Sequence, residues 1–300
     1  MLLLRPIWGR SGRRSGGPIV NRWALLALPA IAFLIVFFLV PLILIGSRSV
    51  SEFPDDVVPS LITNYERFFA GEANLRVLGN TFWIATLSTV LCLLIGYPFA
   101  YLMHVVPPRW AGLLLIAVLV PFWSSLLVRT YAWTVILRDT GIINRTLIDA
   151  GLIGEPIRLY QTTIGVLIGM TQVLLPFMVL PAYTVMRRID PELTRAAANL
   201  GAGPFRAFVR VFLPMSFPGV LAGSLLVFVL ALGFYITPAL LGSPKDTMIS
   251  AFIATRIQQQ LDWGMGSAMA MILMALALLV LFVASRLVRL RDVFGALDSE

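Results

Sequence analysis

Lysine is almost missing from this chain: of 23 basic residues only Lys245 is a lysine, and the rest are arginine. That excludes one large class of nucleotide enzymes. A phosphate-binding P-loop needs Gly-Lys-Ser/Thr, and the lone lysine stands in Ser243-Pro244-Lys245-Asp246. The chain therefore has no route of that kind to ATP hydrolysis. Cysteine and histidine are equally scarce. Cys92, alone in an apolar run, excludes an intramolecular disulfide and a cysteine metal cluster. His104, also alone, speaks against a metal site or a catalytic triad, so neither metal nor cofactor is expected. Charge is the third shortage. Only 13% of residues are charged, against about a quarter in a soluble domain, while 59% are hydrophobic. A membrane protein is the first reading. The net charge of +8 invites nucleic acid as a partner, but the arginines are scattered between apolar runs and form no basic face interleaved with aromatics.

What is present is a series of charge-free windows. They cover residues 23–47, 77–103, 110–128, 159–186, 211–244 and 263–285. A helical span needs about 20 residues. The first window follows Arg5, Arg10, Arg13, Arg14 and Arg22 and is too long for a signal-peptide core, so it reads as a retained span. The fifth is too long for one span, and its helix is expected to start near residues 216–219. The result is an all-α membrane protein with six transmembrane helices. Its parts are a basic tail over 1–22, a transmembrane domain over 23–290 and a C-terminal tail over 291–300. No window holds an acid or a base. Ion-coupled transporters usually bury such a group at mid-membrane, and intramembrane enzymes need one for chemistry, so energy must enter from outside the spans. Gly165 with Gly169, and Gly219 with Gly223, are small-xxx-small pairs suited to close helix packing.

Arginine asymmetry sets the expected orientation. With the N-terminus cytoplasmic, the inner segments hold fourteen basic residues and five acids. The fourteen are five in the tail, Arg109, five in the loop 187–214 and three near the C-terminus. The outer segments hold nine basic residues and ten acids. Both termini and the loop 187–214 then face the cytoplasm. The outer segments over 48–76, 129–158 and 245–262 read either as solvated loops or as a landing surface for a soluble delivery protein. Within 129–158 two short helices are expected on either side of a turn at Asp139-Thr140-Gly141.

The loop itself is unlike its surroundings. From Asp190 to Pro214 it reads as two short helices with a hinge. Asp190 caps the first, Pro191 takes its first position and Glu192 sits at the positive end of the dipole. Gly201 supplies a left-handed stop and Pro204 opens the second helix. There Phe205, Phe208, Val209 and Phe212 form an apolar stripe, with Arg206 and Arg210 off it. Pro214 is expected to end it. Two readings stay open on physical grounds: a docking element for a soluble partner, or a linker whose stripe lies on the membrane surface.

The same residues carry a family likeness. Arg195-Ala196-Ala197, then Gly201, Val211 and Leu213-Pro214 keep the spacing of the EAA loop of ABC importer permeases. In that family the loop is the coupling helix seated in a cleft of the ATP-hydrolysing subunit. Arg195 departs from it, because the family usually has Glu there. Pro176-Phe177-Met178-Val179-Leu180-Pro181, Thr237-Pro238-Ala239-Leu240-Leu241-Gly242, Asn64-Tyr65 and Asn80-Thr81 resemble the spermidine/putrescine branch. The resemblance implies a type I importer permease fold and a non-catalytic pore subunit in the inner membrane. It implies as partners an ATPase dimer, a second permease subunit and an external substrate-binding protein. For substrate it implies a polyamine or related small cation. Other solutes, such as ferric iron, sulfate or an amino-acid derivative, remain alternatives, as does an ATP-independent facilitator. Where many branch members have Gly-Asp-Phe before the Thr-Pro, this chain has Gly233-Phe234-Tyr235. With that acid missing, the aromatic faces of Tyr97, Trp123, Phe234 and Tyr235 are the candidates for a cation pathway, set against a plain interfacial belt.

Overall fold

The computed structural model describes residues 22–52 and 60–297, with side chains over 28–52 and 60–286. The tail over 1–21, Asp55 and Asp56, and residues 298–300 lie outside the described residues. Every described element is helical. The C-terminal end of helix α1 (Arg22–Ser51) is knotted to α2 (Thr63–Ala70). The part of α1 up to Leu44 is a unit of its own, in which Phe33 and Phe37 stack at 4.2 Å. From Ile45 onward the chain is one compact unit.

In that unit α3 (Glu72–Val105) is a long span. After it, α4 (Pro108–Leu119) runs through a short 3₁₀ turn to Trp123 and meets α5 (Leu126–Ile136) at a 97° bend. The window 110–128, expected as one continuous span, is therefore a broken crossing. Pro121 and the Ser124-Ser125 pair explain the break, because proline removes a helix donor and serine offers the backbone other bonds. The break also places Arg129 within the crossing, although the apolar window had stopped at the residue before it. Two short helices stand on either side of the Asp139-Thr140-Gly141 turn, but the first, α5, begins at Leu126 and is the second arm of the bent pair; only α6 (Ile142–Asp149) lies beyond it. Span α7 (Thr163–Met186) follows, then α8 (Pro191–Asn199) and α9 (Pro204–Ala207). A π-turn over Phe208–Phe212 leads without interruption into α10 (Leu213–Leu232). The end of the bundle away from α8 and α9 is completed by α11 (Ile236–Leu241) and α12 (Ile249–Gln258), and α13 (Trp263–Leu297) is the last long apolar helix. Five helical runs are long and apolar enough to cross a membrane, and the bent pair makes six.

Two expectations are corrected here. Pro214 does not end a helix, and the fifth span does not begin near residue 216. The helix that carries it is continuous from Pro204 in the elbow to Leu232. Proline has no N–H and its ring crowds the carbonyl four residues back. The π-turn absorbs this by widening one turn, with the Leu213 N–H donating to Phe208 O five residues back. Phe212 is buried and Phe208 packs beside it, while Phe205 and Val209 are exposed.

Helices α3, α7 and α10 pack together as the centre of this unit. Without a hydrophobic drive between helices in lipid, such packing needs small residues that let backbones approach. A Cβ on Gly223 would lie 2.9 Å from Met178 O, and one on Gly219 would lie 2.8 Å from Val185 Cβ. Gly96 of α3 meets Met178 from the other side, at 2.8 Å from its Cγ. Gly169 is similarly closed off by Leu241 and Thr237 of α11. Gly223→Ala should therefore destabilise by roughly 1–3 kcal/mol through overpacking, despite the better helix propensity of alanine. Gly112→Ala, where a Cβ meets open space, should be neutral or stabilising. Thermal unfolding of both variants in detergent checks this.

Candidate functional site: the two-helix elbow

The elbow between α7 and α10 is built as its sequence suggests. Asp190 Oδ1 accepts the Glu192 N–H at 2.9 Å, closing the start of α8. At its other end the Gly201 N–H bonds Ala198 O at 2.9 Å and the Ala202 N–H bonds Ala197 O at 3.0 Å. This is a Schellman stop, and it requires the left-handed φ of +86° at Gly201. Pro204 stands in the first turn of α9. Arg195 bonds Glu192 Oε1 at 2.5 Å on the same exposed helix face, an i,i+3 pair of small energetic weight in water.

The elbow is fastened to the end of α3 by rings. Tyr101 meets Phe208 and Phe212 edge-on at 5.2 and 5.1 Å. Phe208 and Phe212 stack on each other at 5.7 Å, and His104 lies 5.1 Å from Phe212. Such pairs contribute about 0.5–1.5 kcal/mol each beyond area burial. One turn deeper, the Tyr97 hydroxyl is 3.0 Å from Ser216 Oγ, and Ser216 Oγ also donates to Leu213 O. Tyr97 thus belongs to the elbow's anchorage.

Two hollows flank α8 and α9. One, of about 510 Å³, lies toward α3 and includes Arg195, Tyr101, His104 and Phe208. The other, of about 280 Å³, gathers Ala197, Gly201 and Val211 with Leu200, Arg206 and Arg210. Ala196 is exposed on α8, and Leu213 and Pro214 form the first turn of α10. The elbow's outermost tips are apolar: Leu200 is 90% exposed and Phe205 78%.

The four pathway candidates are not brought together. Tyr97 is at the elbow end. Trp123, 81% exposed, stands at the break of the third crossing. Phe234 packs on the core and its carbonyl accepts from Ser250 Oγ, while Tyr235 is exposed at the start of α11. Several polar residues have a structural use that the sequence did not assign, Asn64, Asn80 and Thr81 having stood out only as part of a family likeness. Trp133 Nε1 donates to Gln172 Oε1 at 3.5 Å, and an amide deep in an apolar window was the available signal. Asp246, buried, accepts from Thr163 Oγ1 and from the N–H and Oγ of Ser243. Asn64, fully buried, donates to Ser49 O and Glu52 O at 3.0 and 2.9 Å. Thr81 Oγ1 accepts the Ile249 N–H, and Asn80 donates to Lys245 O. Among the described residues no three His, Cys, Asp or Glu side chains gather to hold a metal.

Five apolar helical runs long enough to cross a membrane, with a glycine-closed centre in α3, α7 and α10 and an exposed capped elbow between α7 and α10, define a multi-pass membrane permease. Residues 94–291 match the family described as the binding-protein-dependent transport system inner membrane component, and the chain belongs to that family. It is a permease subunit of the inner membrane. It is 38% identical over 264 residues to the spermidine/putrescine transport system permease protein PotB of Haemophilus influenzae, covering 85% of this chain and 91% of that one. To the Escherichia coli protein of the same name it is 35% identical, over 86% and 95%. To the Escherichia coli inner membrane ABC transporter permease protein YdcU it is 31% identical, over 93% of both. Among solved structures, a chain of a bacterial alginate ABC transporter in complex with its pentasaccharide-bound periplasmic protein matches with a TM-score of 0.70 at 21% identity. The match covers 90% of this chain and 96% of that one and shows a shared fold.

The Schellman stop carries its own test. Gly201→Ala meets open space but puts a Cβ into the left-handed region, a cost of about 1–2 kcal/mol. It should raise amide exchange in α8, whereas Gly203→Ala, in open space at φ −64°, should leave exchange unchanged.

Proposed function

We propose that this chain is one of two pore-forming subunits of an ABC importer for polyamines or a related small cation, paired with a different permease subunit. Its tails over 1–22 and 291–300 and its elbow over 187–214 face the cytoplasm, as the arginine asymmetry supports. Two copies of a soluble ATPase engage the elbows, and an external binding protein delivers substrate at the opposite end. Lipid surrounds the rest. The chain catalyses nothing itself, and its lack of a P-loop supports that.

One observation carries the reading. The elbow is an exposed platform locked to α3 through Tyr101, His104, Phe208 and Phe212, and it is continuous with α10. A push on α8 therefore moves α3 and α10 as packed bodies, the kind of shift that alternates access in a two-state transporter. The polyamine assignment draws on the names of the two PotB relatives. The aromatic faces of Trp123 and Tyr235 supply cation attraction of about 0.5–2 kcal/mol each where they meet a desolvated amine.

A second reading, import of an anion, has one observation in its favour: the Arg129 Nε is buried without a partner inside the broken crossing. Uptake into cells carrying the complete transporter separates the two. ATP-dependent uptake of labelled spermidine, competed by putrescine and not by sulfate, is expected. Ala197→Arg, which obstructs the groove, should bring uptake to background. Sulfate competition, or uptake by this chain reconstituted alone, would overturn the proposal.

A further inference from the structure

We infer that the groove beside α8 is a carboxylate clamp, and that the ATPase docked there offers it an acidic side chain on an apolar segment. This rests on the docking reading above and adds the chemistry of the partner's surface. The floor of the groove is Ala197, Ala202, Ala207 and Val211, all small or short. On its rim stand Arg206 and Arg210, both exposed and with no ion pair among the described residues. Arginine's fixed fork of donors matches a carboxylate better than any other side chain does.

The elbow has no acid of its own to spare. Asp190 is spent on the cap of α8 and Glu192 on Arg195. Arg187 and Arg188 at the foot of the elbow are also exposed, so the elbow carries five arginines against two acids, Asp190 and Glu192. Where the resembling family places Glu at 195, this chain has Arg, and its partner in the ion pair is internal. Arg206 and Arg210 therefore have no carboxylate partner on the elbow, and in this proposal it comes from the docked ATPase. Leu200 and Phe205, exposed beside the rim, supply the apolar anchors that an interface centre needs. Anionic lipid headgroups also attract arginine, but a bilayer is a broad surface and does not fill a concave hollow of about 280 Å³.

The test is the affinity of the cognate ATPase for the permease pair in nanodiscs of neutral lipid, measured against salt. Wild-type binding should weaken as salt rises. Arg206→Glu with Arg210→Glu should weaken it about tenfold at low salt and flatten the salt dependence. The two Arg→Lys changes, which keep the charge but lose the fork, should keep the salt dependence and recover only part of the affinity. Reversal of the matching ATPase carboxylate should restore binding to the Glu variant. If Leu200→Asp releases the ATPase while the double reversal keeps wild-type affinity and salt slope, the clamp is wrong and the docking reading stands. If neither variant changes affinity, both fail. An effect seen only in discs of anionic lipid would assign the arginines to the membrane and overturn the clamp.

Discussion

The contact on which the rest depends is the meeting of three helices at Met178. Its side chain is fully buried between Gly96 of α3 and Gly223 of α10, two places where no Cβ fits. Lipid gives helices no hydrophobic reason to associate, so close van der Waals fit must do the work. The glycines turn backbone into packing surface, and the long, unbranched methionine fills the irregular space they leave. Because α7 and α10 flank the elbow in sequence, this junction also fixes the distance between the elbow's two ends.

Polar residues act as fasteners at both ends of the bundle. At the elbow end the aromatic stack and the Tyr97–Ser216 bond tie α3 to α10. At the other end Asp246 joins α7 to the segment after α11, and Thr81 joins α3 to α12. Asn64 there closes the end of α1, and Arg67 extends the knot to Asp262 at 3.3 Å. A buried polar group costs free energy unless it is bonded, so each knot specifies one arrangement of its loops. The outer segments, read as solvated loops or a landing surface, are in large part helices held by these bonds.

Much was legible in the residues, and where it was not the reason is local. The caps at Asp190 and Pro191 and the stop at Gly201 follow from backbone chemistry that needs no neighbour, and all three are present. Pro214 was read as a stop because proline breaks a regular helix; a π-turn lets the chain pass it. Phe205 and Val209 of the expected stripe are exposed, which its 3.6-residue period does not show. The third crossing held apolar length but not direction, since a 97° bend changes no hydropathy. The words Asn64-Tyr65 and Asn80-Thr81 were visible as a likeness, while their bonds to Ser49, Glu52 and Lys245 were not, because the partners lie up to 165 residues away.

By itself the sequence determined that this is a helical membrane protein, roughly where its crossings lie, and which loop is built as a capped elbow. These properties are additive or local: hydrophobic length, charge count, and the backbone limits of proline and glycine. Tertiary structure alone decided which glycines touch, how the elbow is bolted to α3, where the third crossing breaks, and that the four aromatic candidates stand apart. Those outcomes depend on close approach between distant segments, and no window along the chain contains both partners.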